Sequence, residues 1–251
     1  MNSKIEGYLG IKTDGTKSRV PALLDKCQSI TGFILGVFII GHMLFTSSIL
    51  FGKDIMYKET KFFEGSLFFS EPKPFLVSIM GIIILLLFII HAALAMRKFP
   101  YKWREYNMLK THSLHMSHMD TILWLVQAIS GFLMFFLGSM HLWIVISMPD
   151  KIGPYASSDR IYSDGMFWLY LALIALVVLH AMIGLYRLTM KWGFGALRNP
   201  RQDRKRNKKI MWIAIIFFSI LAYSSLTKYW LIGKEHKDNY SQRYMLSKGV
   251  K

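Results

Sequence analysis

The sequence predicts an all-α integral membrane protein with five transmembrane helices, the first four forming a bundle. Three observations carry that expectation: five long charge-free stretches, alternating charge between them, and one histidine in each of the first four. The 251 residues are 53% hydrophobic with positive mean hydropathy, too apolar for an ordinary soluble domain. Neutral windows run over 27–52, 74–96, 121–149, 165–186 and 210–227, or 26, 23, 29, 22 and 18 residues. Crossing the hydrocarbon core takes about 20 apolar residues, so each can span, the last only just. The predicted organisation is one domain over 1–251 with spans near 24–51, 74–97, 119–148, 165–190 and 208–231.

The first window is too long for a signal-peptide core and no small-residue cleavage pattern follows it, so it is expected to remain in the mature protein. Cys27 is the only cysteine, which excludes an internal disulfide and an iron–sulfur cluster ligated by this chain alone. No C-x-x-C-H string occurs, so any haem is held without thioether links.

The net charge of +16 would suit nucleic acid, but its placement argues for a membrane instead. The segment before the first window carries +2, the 53–73 loop 0, the 97–117 loop +4, the 150–164 loop −1 and the 187–209 loop +8. This is the positive-inside pattern, placing the N-terminus and the two basic loops in the cytoplasm of a bacterial inner membrane. The C-terminal tail is then periplasmic although it sums to +4, which runs against the rule. The +8 loop is also suited to anionic lipid head groups.

The first and third spans share a local repeat, Gln28-Ser29-Ile30-Thr31-Gly32-Phe33 against Gln127-Ala128-Ile129-Ser130-Gly131-Phe132. In each, a histidine follows the glutamine by 14 residues, His42 and His141. His91-Ala92 and His180-Ala181 occupy matching places in the second and fourth spans, six and seven residues before Arg97 and Arg187. Each half therefore reads as one helical hairpin, with the fifth helix outside the repeat. At about 1.5 Å per residue, His42 and His141 share a level in the outer half of the membrane, His91 and His180 one in the inner half.

A histidine in hydrocarbon is costly and needs a partner. Taken singly, each of these reads best as a hydrogen-bonding residue or a proton carrier. Four at two matched depths read as axial ligands of two stacked haems, since ligation uses the neutral imidazole. Two ligands fall short of zinc's usual four, and bis-imidazole iron keeps no open position, which suits electron transfer. Arg187 and Lys191 lie seven and eleven residues after His180 on one helix face, placed to meet inner propionates or merely to snorkel. Gln28 and the adjoining Ser29 lie on the same face as His42. His112, His115 and His118 fan over about 120° of helix surface and read as surface groups rather than a metal site. Glu64, in a loop with Phe62, Phe63, Phe68 and Phe69, reads from the residues alone as a plain solvated glutamate.

Ordered strings carry a resemblance over nearly the whole chain: Lys4-Ile5-Glu6-Gly7-Tyr8, Gly41-His42-Met43, His91-Ala92, Ala95-Met96-Arg97-Lys98-Phe99-Pro100, Lys110-Thr111-His112, Phe135-Phe136-Leu137-Gly138-Ser139, Ile152-Gly153-Pro154 and Gly184-Leu185-Tyr186-Arg187. With these, the chain resembles the dihaem cytochrome b subunit of epsilonproteobacterial fumarate reductases and related succinate dehydrogenases. The resemblance implies a five-helix anchor with two haems b, acting as the quinone-reactive subunit toward menaquinol/menaquinone. It implies a cytoplasmic flavoprotein and iron–sulfur protein as partners and is compatible with a dimer of heterotrimers. It assigns His91 and His180 to the proximal haem and His42 and His141 to the distal haem. Gln28, Ser29, Trp124 and Lys191 match positions associated with propionates, and Glu64 becomes the candidate quinol-site proton acceptor. One departure stands out. The family typically has a glutamate two residues before the fourth ligand, assigned to a transmembrane proton path, where this chain has Val178; the expectation is electrogenic turnover. The alternatives are the cytochrome b anchor of a hydrogenase or formate dehydrogenase and, in another class, a haem-free transporter.

Overall fold

The computed structural model describes residues 19–99, 102–115, 119–194 and 199–246, without the side chains of 109–110 and 112–115. The Lys4–Tyr8 string and His118 lie outside the described residues, as do the side chains of His112 and His115. Helix α1 is Val20–Thr46, α2 Lys53–Phe63, α3 Phe75–Met96, α4 Trp103–His115, α5 Met119–Ser147, α6 Pro154–Tyr162, α7 Phe167–Trp192 and α8 Pro200–His236. Five of these, α1, α3, α5, α7 and α8, are long and apolar enough to cross a membrane. No strand occurs among the described residues.

Local chemistry sets the helix ends. Pro21 opens α1 and Pro154 opens α6, where the missing N–H costs nothing. Asn199 caps α8, its side-chain oxygen accepting from the Arg201 amide at 3.0 Å, with Pro200 as the first helical residue. Gly193 ends α7 at φ +66, a left-handed conformation that glycine adopts without a Cβ clash.

The span helices pack as α1 on α3, α3 on α5, α5 on α7, and α7 on both α1 and α8. Their outward faces expose Ile79, Ile82, Leu86, Phe132 and Phe136, among others, as a protein surrounded by lipid does. Inside, Met43, Leu123, Val178, Met182 and Ile183 join Met211, Ile215 and Phe218 of α8 in one apolar core.

Hydropathy treats the connections as loops, yet three hold helices. α2 and α6 pack on one another and, with α8, close one end of the bundle, here the loop-helix end. The opposite, basic end gathers Asp25, Lys98 and Lys191 in a three-way ion pair. At 37 residues, α8 runs well beyond its neutral window; at 1.5 Å per residue it measures about 55 Å against a core of about 30 Å. Asp120 of α5 anchors its basic first half through Lys208 at 2.7 Å and Arg204 at 3.1 Å.

The basic tail after α8 folds back on the loop-helix end against acidic partners. Arg243 pairs with Asp150 at 3.3 Å, Tyr240 donates to Asp164 at 3.0 Å and Tyr244 donates to Asp54. Part of the tail's positive charge is thus answered locally. Burial, with the Asp54 carboxylate, pushes the Tyr244 hydroxyl up to about 12. Because this value is raised above the ordinary tyrosine value of about 10, the tie contributes fully below pH 10 and is lost as pH rises through 12. In an alkaline absorbance titration, Asp54→Asn should bring one more tyrosine into the transition near pH 10.

Candidate functional site

A continuous cavity of about 1200 Å³ runs along the bundle between the span helices. All four span histidines line it. His42 of α1 and His141 of α5 meet toward the loop-helix end with ring centroids 6.1 Å apart and planes at 55°. His91 of α3 and His180 of α7 meet toward the basic end at 6.4 Å and 86°. A metal atom held between two imidazoles by bonds of about 2 Å, with nitrogen about 1 Å from the ring centre, sets the centroids about 6 Å apart. Both pairs have that spacing. Among the described residues no group of three or more histidine, cysteine or carboxylate side chains converges, so the cavity histidines offer a metal two-ligand sites.

The other ring nitrogen of three of these histidines is engaged. His180 donates from Nδ1 to the Gln127 carbonyl at 2.9 Å. A carbonyl only accepts, so Nδ1 carries the hydrogen and Nε2 keeps its lone pair for a ligand. His91 Nδ1 lies 3.1 Å from the Thr31 hydroxyl and also meets the Gln28 carbonyl. Thr31 donates to the Cys27 and Gln28 carbonyls, which leaves its oxygen to accept from His91. His141 Nδ1 has a longer contact, 3.4 Å, to the Tyr170 hydroxyl. His42 stacks on Phe38 at 5.6 Å. Backbone carbonyls and hydroxyls behind the ring are the supports that fix a metal-binding imidazole's tautomer and orientation.

These contacts give the sequence repeat a physical meaning. The glutamine of each copy supplies a carbonyl to a histidine of the next span, Gln28 to His91 and Gln127 to His180. The glycine of each copy makes room for the same ring. A Cβ on Gly32 would lie 2.8 Å from His91 Cε1, and one on Gly131 would lie 2.5 Å from His180 Cε1. The repeat read as two helical hairpins is therefore also two imidazole cradles.

Gln28, Ser29, Trp124, Arg187 and Lys191 all line the cavity. Lys191 donates to Ser29 Oγ at 2.7 Å and also meets Asp25. Arg187 donates to Gln127 Oε1 at 2.5 Å. The buried Gln28 Oε1 has no partner. Lys98, which the sequence reading passed over, joins them there. Cations, amides and a hydroxyl thus gather beside the His91–His180 pair, a setting for carboxylate groups.

The loop-helix end differs from expectation. Glu64 is not a solvated glutamate: it is 2% exposed, sits at the C-terminal cap of α2 and pairs with Lys61 at 2.7 Å. The face that α2 turns to the cavity carries Met56, Glu59, Thr60 and Phe63, and not Glu64. Arg160, 8% exposed, lines the cavity from α6 and donates to the Lys151 carbonyl at 2.5 Å. The sequence reading missed Glu59 and Arg160. Their only signal was charge inside short segments taken for solvated loops.

The arrangement fits a haem at each pair. Paired rings have the spacing of a shared metal, their rear nitrogens are supported, and the cavity exceeds the roughly 300–1,000 Å³ of a typical small-molecule site. Residues 103–222 match the family described as succinate dehydrogenase/fumarate reductase transmembrane subunit. A fumarate reductase cytochrome b subunit of Helicobacter pylori is 45% identical over 235 residues, 94% of this chain and 91% of the relative. One of Wolinella succinogenes is 45% identical over 236 residues, 94% of this chain and 92% of the relative. With such identity along nearly its whole length, the chain belongs to the fumarate reductase cytochrome b subunit family.

Proposed function

We propose that this chain is the dihaem membrane anchor of a succinate/fumarate:menaquinone oxidoreductase. The observation that carries the reading is the pairing of four histidines at 6.1 and 6.4 Å along one cavity. His42 and His141 hold a distal haem b, His91 and His180 a proximal one. When bound, these groups relay single electrons between a two-electron quinol and a flavoprotein and iron–sulfur protein at the basic, cytoplasmic end.

The chain's own residues hold and tune that relay. Gln127 and Thr31 keep His180 and His91 oriented through Nδ1. Lys191, Arg187, Ser29, Gln28 and Trp124 receive the proximal propionates, and Arg160 offers a cation to the distal ones. Glu64, buried with Lys61, serves as a proton acceptor of the quinol site. The N-terminus is cytoplasmic and the C-terminus periplasmic, following the charge pattern of the loops.

The test is purification from membranes with whatever subunits accompany the chain. The expected preparation contains a flavoprotein and an iron–sulfur protein, reduces fumarate with menaquinol, and shows a b-type α band equivalent to two haems per chain. A reduced protein with no such band rejects the reading and favours a transporter. Partners carrying hydrogenase or formate dehydrogenase activity would assign a different enzyme.

Val178 adds a second expectation. It is 1% exposed and packed in the apolar core with Met182 and Ile183, so it carries no proton. Turnover should then separate charge, building membrane potential during fumarate reduction by menaquinol and spending it in reverse. A potential-sensitive dye in proteoliposomes should report a potential during turnover; electroneutral turnover would count against the idea.

A further inference from the structure

Helix α2 turns one stripe toward the cavity. Met56, Glu59, Thr60 and Phe63 are spaced by three and four residues, one face of a helix, and all line the cavity wall. Glu59 is the ionisable member of that stripe. Its Oε2 is buried with no hydrogen-bond partner. Glu64 is held by Lys61 and stays off the cavity wall.

Other charged and titratable groups line the same end without taking Glu59's oxygen. Tyr229 of α8 is its electrostatic neighbour but donates its hydroxyl to the Thr46 carbonyl at 3.1 Å. Arg160 of α6 donates to the Lys151 carbonyl. Tyr170 of α7, His141 of α5 and His42 of α1 complete that part of the wall. A buried carboxylate oxygen without a donor is costly, and an apolar side chain would pack there without that cost. A hydroxyl donor entering the cavity would satisfy the oxygen.

We infer that Glu59 is the cavity-side proton acceptor for a hydroquinone, a role that rests on the quinol reading above. Oxidising one hydroquinone breaks two O–H bonds and releases two electrons and two protons. The electrons leave through the histidine-paired centres to fumarate in the partner protein. Glu59 Oε2 takes one proton, becomes a carboxylic acid and passes it to water at the loop-helix end; the other proton reaches Glu64, behind the wall, through water.

The experiment uses the whole complex with Glu59→Gln, and Glu64→Gln alongside. Infrared difference spectra on quinol-driven reduction should show two protonated-carboxyl C=O components in the wild type, of which Glu59→Gln removes one and Glu64→Gln the other. Quinol-driven fumarate reduction should fall by about 10²-fold, the usual range for a lost acid–base group. The b-type spectrum and fumarate reduction driven by a viologen dye, which bypasses the quinol, should stay at wild-type levels. Wild-type quinol turnover with both components intact in Glu59→Gln overturns the assignment. If that variant loses its b-type spectrum, Glu59→Asp decides: a retained spectrum with one carboxyl component shifted supports the role, two unshifted components overturn it. Failure of the quinol reading shows differently, as a wild-type complex that does not oxidise quinol at all.

Discussion

Replacing His42 or His141 by alanine should remove one b-type haem, and replacing His91 or His180 should remove the other. Each single variant should keep about half of the α-band absorbance, because on the proposed reading both rings of a pair would serve one iron and a single remaining imidazole would hold it loosely. The decisive readout is the pattern of double variants. Side chains that act on one site are not additive, whereas independent sites are. His42→Ala with His141→Ala should lose no more haem than either alone, and so should His91→Ala with His180→Ala. A cross-pair double, His42→Ala with His180→Ala, should lose both haems. Quinol-driven fumarate reduction should stop in all of them, since the proposed relay would need both centres. If the histidines served as hydrogen-bonding residues instead, haem content would not follow the pairs, and stability alone would fall.

Part of this site was legible in the sequence, for a physical reason. An imidazole in hydrocarbon is expensive, so four of them in charge-free stretches stand out, and counting residues to the nearest charges gave their depth. The Gln-x-Ile-x-Gly repeat was visible too, but its purpose was not. The Gln28 and Gln127 carbonyls carry no side-chain signature, and only the packing shows which ring faces Gly32 or Gly131. The connections were the least legible. Hydropathy sees α2 and α6 as polar loops, and the inward face of a short helix depends on its phase. The 53–73 segment holds four acids in charge balance. Which of them enters the cavity is settled by the turn of α2, and it is Glu59 rather than Glu64. In the tail the structure pairs one cation, Arg243, with Asp150, while Asp54 and Asp164 accept tyrosine hydroxyls, contacts that a charge count along the sequence does not reveal.

Gly131→Ala should cost the proximal haem while leaving the distal one in place. A methyl group there would lie 2.5 Å from His180 Cε1 and 2.7 Å from Nδ1. Carbon atoms in contact settle at about 3.5–4.0 Å, so ring and helix must part by about 1 Å. The ring has little freedom to give way, because its Nδ1 is tied to the Gln127 carbonyl one turn away on the same helix as Gly131. Metal–ligand distances tolerate only about 0.2 Å, so a shift of this size would take Nε2 out of reach of an iron bound between the pair. Gly32→Ala should act in the same direction on His91 and more mildly, since its Cβ would stand 2.8 Å from Cε1 and 3.4 Å from Nδ1. Gly81→Ala supplies the contrast. Its methyl would press on Ile146 Cγ1 at 2.7 Å, forcing α3 and α5 apart without meeting a histidine. That variant should melt at a lower temperature and keep both haems. Difference spectra and haem-to-protein ratios on the three purified complexes read the outcome directly. If Gly131→Ala keeps two haems at wild-type potentials, the glycine is a helix-packing residue and the cradle described here is not what holds His180.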